Sequence, residues 1–266
     1  MKKNLYYHTV FGRKNVIKEF ILNSFLDMAS GPRLLLEVFT RTKFGERYFS
    51  FSTAIIFTVV LALYPIIASK IPSFDSYAYA YGREEEETGI GTILSKYFTW
   101  YAYLGAFMYQ CFKRREEIKR EPSVFDFARF SLSTGVVNPA FYDFKINGQT
   151  PTPRQVCILL EPAIFLGFGI LLAIFQQSLG YLLIFCSIVY SLSWKGAYYK
   201  GDQFVMDKID KLIANEEMVD SFVNGRKPEE TRGFETYGKR PENTDFRRKV
   251  AESFFESDDD EPVQVF

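Results

Sequence analysis

Between Glu161 and Lys195 the chain carries no Asp, Glu, Lys, Arg or His: every residue from Pro162 to Trp194 is uncharged, and most are apolar. A helix crosses a hydrocarbon core roughly 30 Å thick with about 20 residues at 1.5 Å each, so this run is too long for one crossing. Its one polar cluster, Gln176-Gln177-Ser178-Leu179-Gly180, ends in a helix-breaking glycine and marks a reversal. The run therefore predicts two spans, 156–175 and 179–195, joined as a tight hairpin whose backbone polar groups must be satisfied within the protein.

Apolar residues elsewhere are gathered into blocks of membrane length instead of being spread at the period of a soluble core. Residues 48–69 supply a first span, with Ile55, Ile56, Val59, Val60, Leu63, Ile66 and Ile67 on its surface and Pro65 kinking or ending its last turn. A more aromatic stretch, 93–112, supplies a second. Its Lys96 sits at an end where the ammonium can snorkel, Trp100 and Tyr101 suit an interface, and Gly105-Ala106 let another helix approach closely. Between these two spans, loop 70–92 holds Glu84 to Glu87 and an alternating Tyr77, Tyr79, Tyr81 run. Contiguous acids lack the alternate spacing and turn glycine of a calcium loop, so the segment is expected to be a solvated outer loop.

Charge sets the orientation. Lys and Arg number nine up to Arg47, three in 70–96, eight in 113–154, none in the 176–180 turn and twelve from Lys195 onward. Cationic loops stay in the cytoplasm, so four crossings with both termini inside, in a plasma or inner membrane, satisfy every segment. The fold class this predicts is an all-α integral membrane protein of four transmembrane helices, two loosely paired and two in the hairpin.

The flanks read as amphipathic helices at the cytosolic face. Within 1–47, Val16, Ile17, Phe20, Ile21, Phe25 and Met28 form one stripe opposite Lys14, Lys18, Glu19, Asn23 and Asp27. That helix serves either as an interfacial anchor or as packing for the protein's own face. Ser30-Gly31-Pro32 is expected to end it and start a second helix along the membrane surface. The inner loop 113–154 contains a capped start at Ser123, a turn at Asn138-Pro139, a tight reversal at Asn147-Gly148 and the Thr152 cap with Pro153 that opens the third span. Residues 196–225 continue the last span as an amphipathic helix. Residues 226–266 have the composition of a disordered tail, interrupted by Phe246, Val250 and Phe254 on a short stripe that suits docking to a partner and closed by Asp258 to Glu261.

Catalytic and metal chemistry find little footing in the sequence. His8 is the only histidine, which removes Cys/His metal sites and histidine-based triads, and Cys111, Cys157 and Cys186 make an odd set without a disulfide framework. Gly89-Ile90-Gly91 lacks the context of a dinucleotide fingerprint. The chain is expected to need no cofactor, and its balance of 32 basic against 32 acidic residues points away from nucleic acid. Glu161 is the one carboxylate inside a span. It predicts either an ion pair with Arg154, two turns earlier on the same face, or a cation or proton site. The expectation is a non-enzymatic structural or assembly subunit that meets the bilayer and other membrane proteins or copies of itself. A secretion or conjugation apparatus is one setting suggested by class alone. The alternative is a small channel or transporter subunit using Glu161; no small-molecule substrate is identified.

Overall fold

A computed structural model describes residues 16–68, 96–119, 130–146 and 148–256, without the side chains of 253–256. The acidic loop 70–92, the helix expected from Ser123, Asn147 of the tight reversal, the side chain of Phe254 and the acidic end lie outside the described residues.

The described chain is mostly helical: α1 (Val16–Thr40), α2 (Phe51–Ala68), α3 (Phe98–Ile118), α4 (Pro153–Ile174), α5 (Ser178–Val223) and α6 (Thr244–Glu256). A two-strand antiparallel ladder joins β1 (Arg41–Thr42) to β2 (Val136–Val137). Three helices, α2, α4 and α5, are long and apolar enough to cross a membrane. The stretch expected as the second span is helical too. Its helix, α3, is richer in Tyr and Trp and runs on through Lys113, Arg114 and Arg115, so composition does not mark it as a crossing. Two compact units divide the chain, 21–197 and, as far as described, 16–20 with 198–256.

In the first unit α2 and α3 lie antiparallel. Tyr64 stacks on Trp100 with centroids 4.8 Å apart, and Phe51 meets Phe112 at 5.1 Å near the other end of the pair. Proline explains one of their bonds. Pro65 has no N–H to give the carbonyl four residues back, and that carbonyl, Leu61, accepts instead from Trp100 Nε1 at 2.8 Å. The same solution recurs between α4 and α5. Pro162 leaves the Ile158 carbonyl without its helical donor, and Ser191 Oγ donates to it at 2.7 Å. Where no water reaches a missing partner, such side chains stand in for the lost helical bond.

The α4–α5 hairpin closes at Gln176, whose φ of 56° turns the chain, with Gln177 N donating to Leu172 O at 2.9 Å. Its helices touch backbone to backbone. A Cβ on Gly180 would overlap the Ala173 and Gly169 main chain, and one on Gly169 would lie 3.0 Å from Ile184 N. Thr99 Oγ1 donates to Gln177 Oε1 at 2.8 Å, tying the start of α3 to this turn. At the opposite end, Thr152 and Gln155 form a reciprocal cap and Pro153 opens α4.

Helix α1 departs from the expected break: it continues through Gly31 and Pro32. Packing outweighs the proline here, because Gly31 sits so close to Phe57 of α2 that any Cβ would overlap the ring. The second half of α1 is not a surface element either. Leu35, Leu36 and Val38 are buried, Tyr103 OH donates to Leu35 O at 2.8 Å, and Phe39 meets Tyr103 at 5.7 Å and Phe165 at 6.3 Å. The inner loop clamps the chain that follows: Asn138 N donates to Thr40 O (3.1 Å), Gly45 N to Ser133 O (2.8 Å) and Arg47 N to Ser131 O (2.9 Å).

In the second unit, residues 226–256 fold back on α5 although their composition reads as disordered. Phe234 and Ala251 join Ala214, Met218, Phe222 and Val223 in a small core. Arg232 bridges Glu216 and Glu217, and Ser221 Oγ accepts from Thr236 N at 3.0 Å. Few apolar residues are available in this segment, but those few meet the apolar face at the end of α5, which a composition average cannot register.

Ser191→Ala should lower stability by about 0.6–2 kcal/mol, because it strands the Ile158 carbonyl. Adding Pro162→Ala should recover most of the loss, since residue 162 then supplies an N–H to that carbonyl. Thermal unfolding in detergent compares the three chains, and a double variant no better than Ser191→Ala would refute this account of the contact.

Candidate functional site

Three of the buried charges of the first unit, Glu37, Arg41 and Glu161, converge on one place together with Arg33, and α1 brings most of them, while buried Arg114 pairs with Glu117 instead. Arg33, Glu37 and Arg41 recur every four residues, which puts them on one face of a helix and its immediate continuation. Arg41 is the first residue of β1, and pairing with Val137 holds its backbone.

Its side chain reaches α4. Arg41 Nε donates to Glu161 Oε1 at 2.9 Å and Nη2 to Oε2, a bidentate pair in which both side chains are only 1% exposed. Nη2 also donates to Cys157 Sγ (3.2 Å) and Nη1 to Thr134 O (3.3 Å). Four of the five guanidinium N–H groups are thereby used. Glu161 is presented by an unusual turn of α4: residues Val156–Leu160 form a wide π-helical turn directly before it. Tyr190 of α5 completes the set, donating from its hydroxyl to Glu161 Oε2 at 2.7 Å.

One and two turns before Arg41, at Glu37 and Arg33, α1 repeats the pattern. Arg33 donates from Nε (3.0 Å) and Nη2 (2.9 Å) to Glu37 Oε1, and from Nη2 to Tyr48 OH (2.6 Å), while Tyr48 OH donates to Glu37 Oε2 (2.7 Å). Both clusters are Arg–Glu–Tyr triads, and a single indole links them. The guanidinium carbons of Arg33 and Arg41 lie 4.3 Å and 4.4 Å from the Trp194 ring centroid. Each such contact contributes on the order of 0.5–2 kcal/mol.

Burial works against both guanidinium charges. The Glu161 hydrogen bond overcomes it for Arg41, and the charge of Glu37 overcomes it for Arg33, so each stays protonated above its ordinary range. Burial first, then the Glu37 carboxylate, pushes the Tyr48 phenol up, which keeps it a donor. Two positive and two negative side chains cancel, with both phenols neutral. Such a cluster can hold α1 to α4 and α5, and it turns no carboxylate oxygen outward. All three cysteines are buried thiols, and among the described residues no group of three or more His, Cys, Asp or Glu is arranged to hold a metal ion.

Of the residues singled out in the sequence, Glu161 is at the centre of this cluster, but the guanidinium that grips it is Arg41's. Arg154 is exposed on the first turn of α4. Phe246 is largely exposed on α6, and Val250 packs on the chain's own small core. Sequence reasoning passed over Arg33, Glu37, Arg41, Tyr48, Tyr190 and Trp194. The available signal was the four-residue charge spacing inside an otherwise apolar stretch, Leu34 to Phe39.

Removing one member of a buried pair strands the other, so Glu161→Gln and Arg41→Met should each cost on the order of 3–5 kcal/mol in detergent unfolding. Together they should cost clearly less than the sum of the singles. Strict additivity would mean that the two side chains do not act as a pair. No protein family, curated protein or solved structure matches the chain, so its function is argued from this geometry.

Proposed function

We propose that this chain is a non-enzymatic, four-span membrane protein with both termini on the cytoplasmic side, serving as a structural subunit of a larger membrane assembly. The observation that carries the proposal is the contrast between its helix glycines. Gly169 and Gly180 face inward and are filled by backbone. Gly105 of α3 and Gly167 of α4 are exposed, with nothing among the described residues within 4 Å of where a Cβ would stand. Ala102 and Ala106 flank the first and Ala163 lies one turn from the second, all exposed. Glycine is a poor helix former, and in membrane helices small residues at this spacing serve to bring another helix close.

Support for a fourth crossing comes from α3 keeping pace with α2, from Trp100 beside Leu61 to Phe112 beside Phe51. Support for the orientation comes from Arg115, which lies over the Phe51 ring at 4.5 Å and gathers positive charge at that end of the pair, while no Lys or Arg falls in the 176–180 turn. A channel or transporter role for Glu161 is disfavoured by the engagement of both its oxygens.

Extraction in mild detergent should yield a homo-oligomer or a complex of fixed stoichiometry. Gly105→Leu or Gly167→Leu should dissolve it while the thermal midpoint of the subunit holds. A solitary monomer after cross-linking in native membranes would overturn the proposal, as would leucine variants that assemble normally.

A further inference from the structure

Where the exposed apolar surface of the α2–α3 pair ends, the first unit turns cationic. On α2, Ile55, Ile56, Val59 and Val60 are exposed, and on α3 Tyr109 and Phe112 are. Phe51 meets Phe112 at 5.1 Å, which puts the first residue of α2 level with the last exposed aromatic of α3. The Arg115 guanidinium lies 4.5 Å from the centroid of that same Phe51 ring. Charge therefore follows the last apolar side chain of α3 within one turn of helix.

Two segments of the chain meet at this edge. Lys43 N donates to Glu117 Oε2 at 3.2 Å, which seats 43–47 against 113–119. Together the two segments carry six Lys and Arg against three Glu, an excess of three positive charges. One opposite pair is satisfied within the fold, because buried Arg114 takes Glu117 at 2.6 Å. Lys43, Arg47, Lys113, Arg115 and Lys119 are all exposed, and among the described residues none of their side chains makes an ion pair.

We propose that this cationic rim, formed by Lys43, Arg47, Lys113, Arg115 and Lys119, binds the headgroup of an anionic phospholipid. The proposal rests on the membrane reading of the spans and adds a lipid preference to it. Position selects the ligand first: headgroup phosphates stand where the apolar surface of a span gives way to charge, and Arg115 is held there by Phe51. Chemistry selects it next, since a ring holds a guanidinium without cancelling its charge, and the arginine fork matches phosphate oxygens. Charge completes the choice. Zwitterionic phosphatidylcholine leaves the positive excess standing, whereas phosphatidylglycerol offsets it. A soluble phosphate offers the same oxygens but brings no acyl chain to lie against exposed Ile55 and Phe112.

The full chain is reconstituted into phosphatidylcholine vesicles holding a trace of spin-labelled phosphatidylglycerol or of spin-labelled phosphatidylcholine, and electron paramagnetic resonance reads the motionally restricted fraction of each. Restricted phosphatidylglycerol should exceed restricted phosphatidylcholine by about twofold or more. Combining Lys113→Gln, Arg115→Gln and Lys119→Gln should bring the two fractions together. Combining Lys208→Gln, Lys227→Gln and Lys239→Gln, which removes the same charge from the second unit, should leave the preference intact. Sodium chloride at about 1 M, which shortens the screening length to about 3 Å, should abolish the preference of the unaltered chain, so the test does not depend on the first variant folding. A preference that survives the first variant or the salt, or that the second variant also abolishes, overturns the site. Displacement of the labelled lipid by excess glycerol phosphate at matched ionic strength would assign the rim to soluble phosphate and overturn the proposal. Equal restricted fractions in the unaltered chain would overturn the headgroup site and leave the spans standing. No restricted lipid of either kind would remove the membrane reading, and the site with it.

Discussion

Arg41 and Glu161 are 120 residues apart in the chain and bidentate in the fold. An isolated charge moved into an apolar interior costs several kcal/mol even after relaxation, so neither residue is tolerable there without the other. Much follows from that one constraint. Glu161 belongs to an apolar helix long enough to cross a membrane, so α1 must enter the bundle far enough for Arg41 to reach it. This is why the second half of α1 is buried among α2, α3 and α4 instead of lying on the surface. The inner loop serves the same pair from the other side. Its ladder to β1 and the bond from Asn138 to Thr40 fix where the end of α1 stops, and so where the guanidinium points.

A second constraint is older in the chain's logic than any tertiary contact, because it is covalent. Two prolines sit in span-competent helices, and each removes a donor from the carbonyl one turn back. Leu61 and Ile158 are repaired by Trp100 and Ser191, in both cases from the antiparallel neighbour. The repair does more than satisfy an oxygen. Apolar faces slide past one another at little cost in lipid, whereas a directed bond to one carbonyl sets the register of a helix pair. Pro162 acts twice in this sense, since it also follows the wide turn that presents Glu161.

The parts of the fold that could be read in advance are those whose cause is local. The hairpin follows from an uncharged run and a single polar interruption, and the start of α4 from Thr152, Pro153 and Gln155. Pro65 and Pro162 were visible as breaks in hydrogen bonding, although the side chains that answer them were not. The partner of Glu161 was out of reach because helical periodicity ranks neighbours within a helix: it proposes Arg154 and has no means of proposing a residue on another element. The packing of 226–256 is hidden from composition for a related reason. Low apolar content argues against an independent core, but Phe234 and Ala251 need only complete one that α5 already offers. At Gly31-Pro32 a break was expected on propensity, and contact with Phe57 overrode it.

Trp194 gives the cluster its particular form. Two guanidiniums within 4.5 Å of one indole centroid would repel each other if left alone, and the ring's attraction is too small to hold both against that repulsion and the loss of hydration. Each arginine therefore needs its own carboxylate, and each carboxylate accepts a phenol on its second oxygen, from Tyr48 or Tyr190. The outcome is a neutral, hydrogen-bonded unit drawn from α1, the Tyr48 segment, α4 and α5. Its neutrality is what permits its depth. The Arg41–Glu161 pair joins α1 to α4 directly, whereas the Arg33–Glu37 pair lies within α1 and meets the hairpin through the Trp194 ring, so the indole is what brings the second triad to bear on α5.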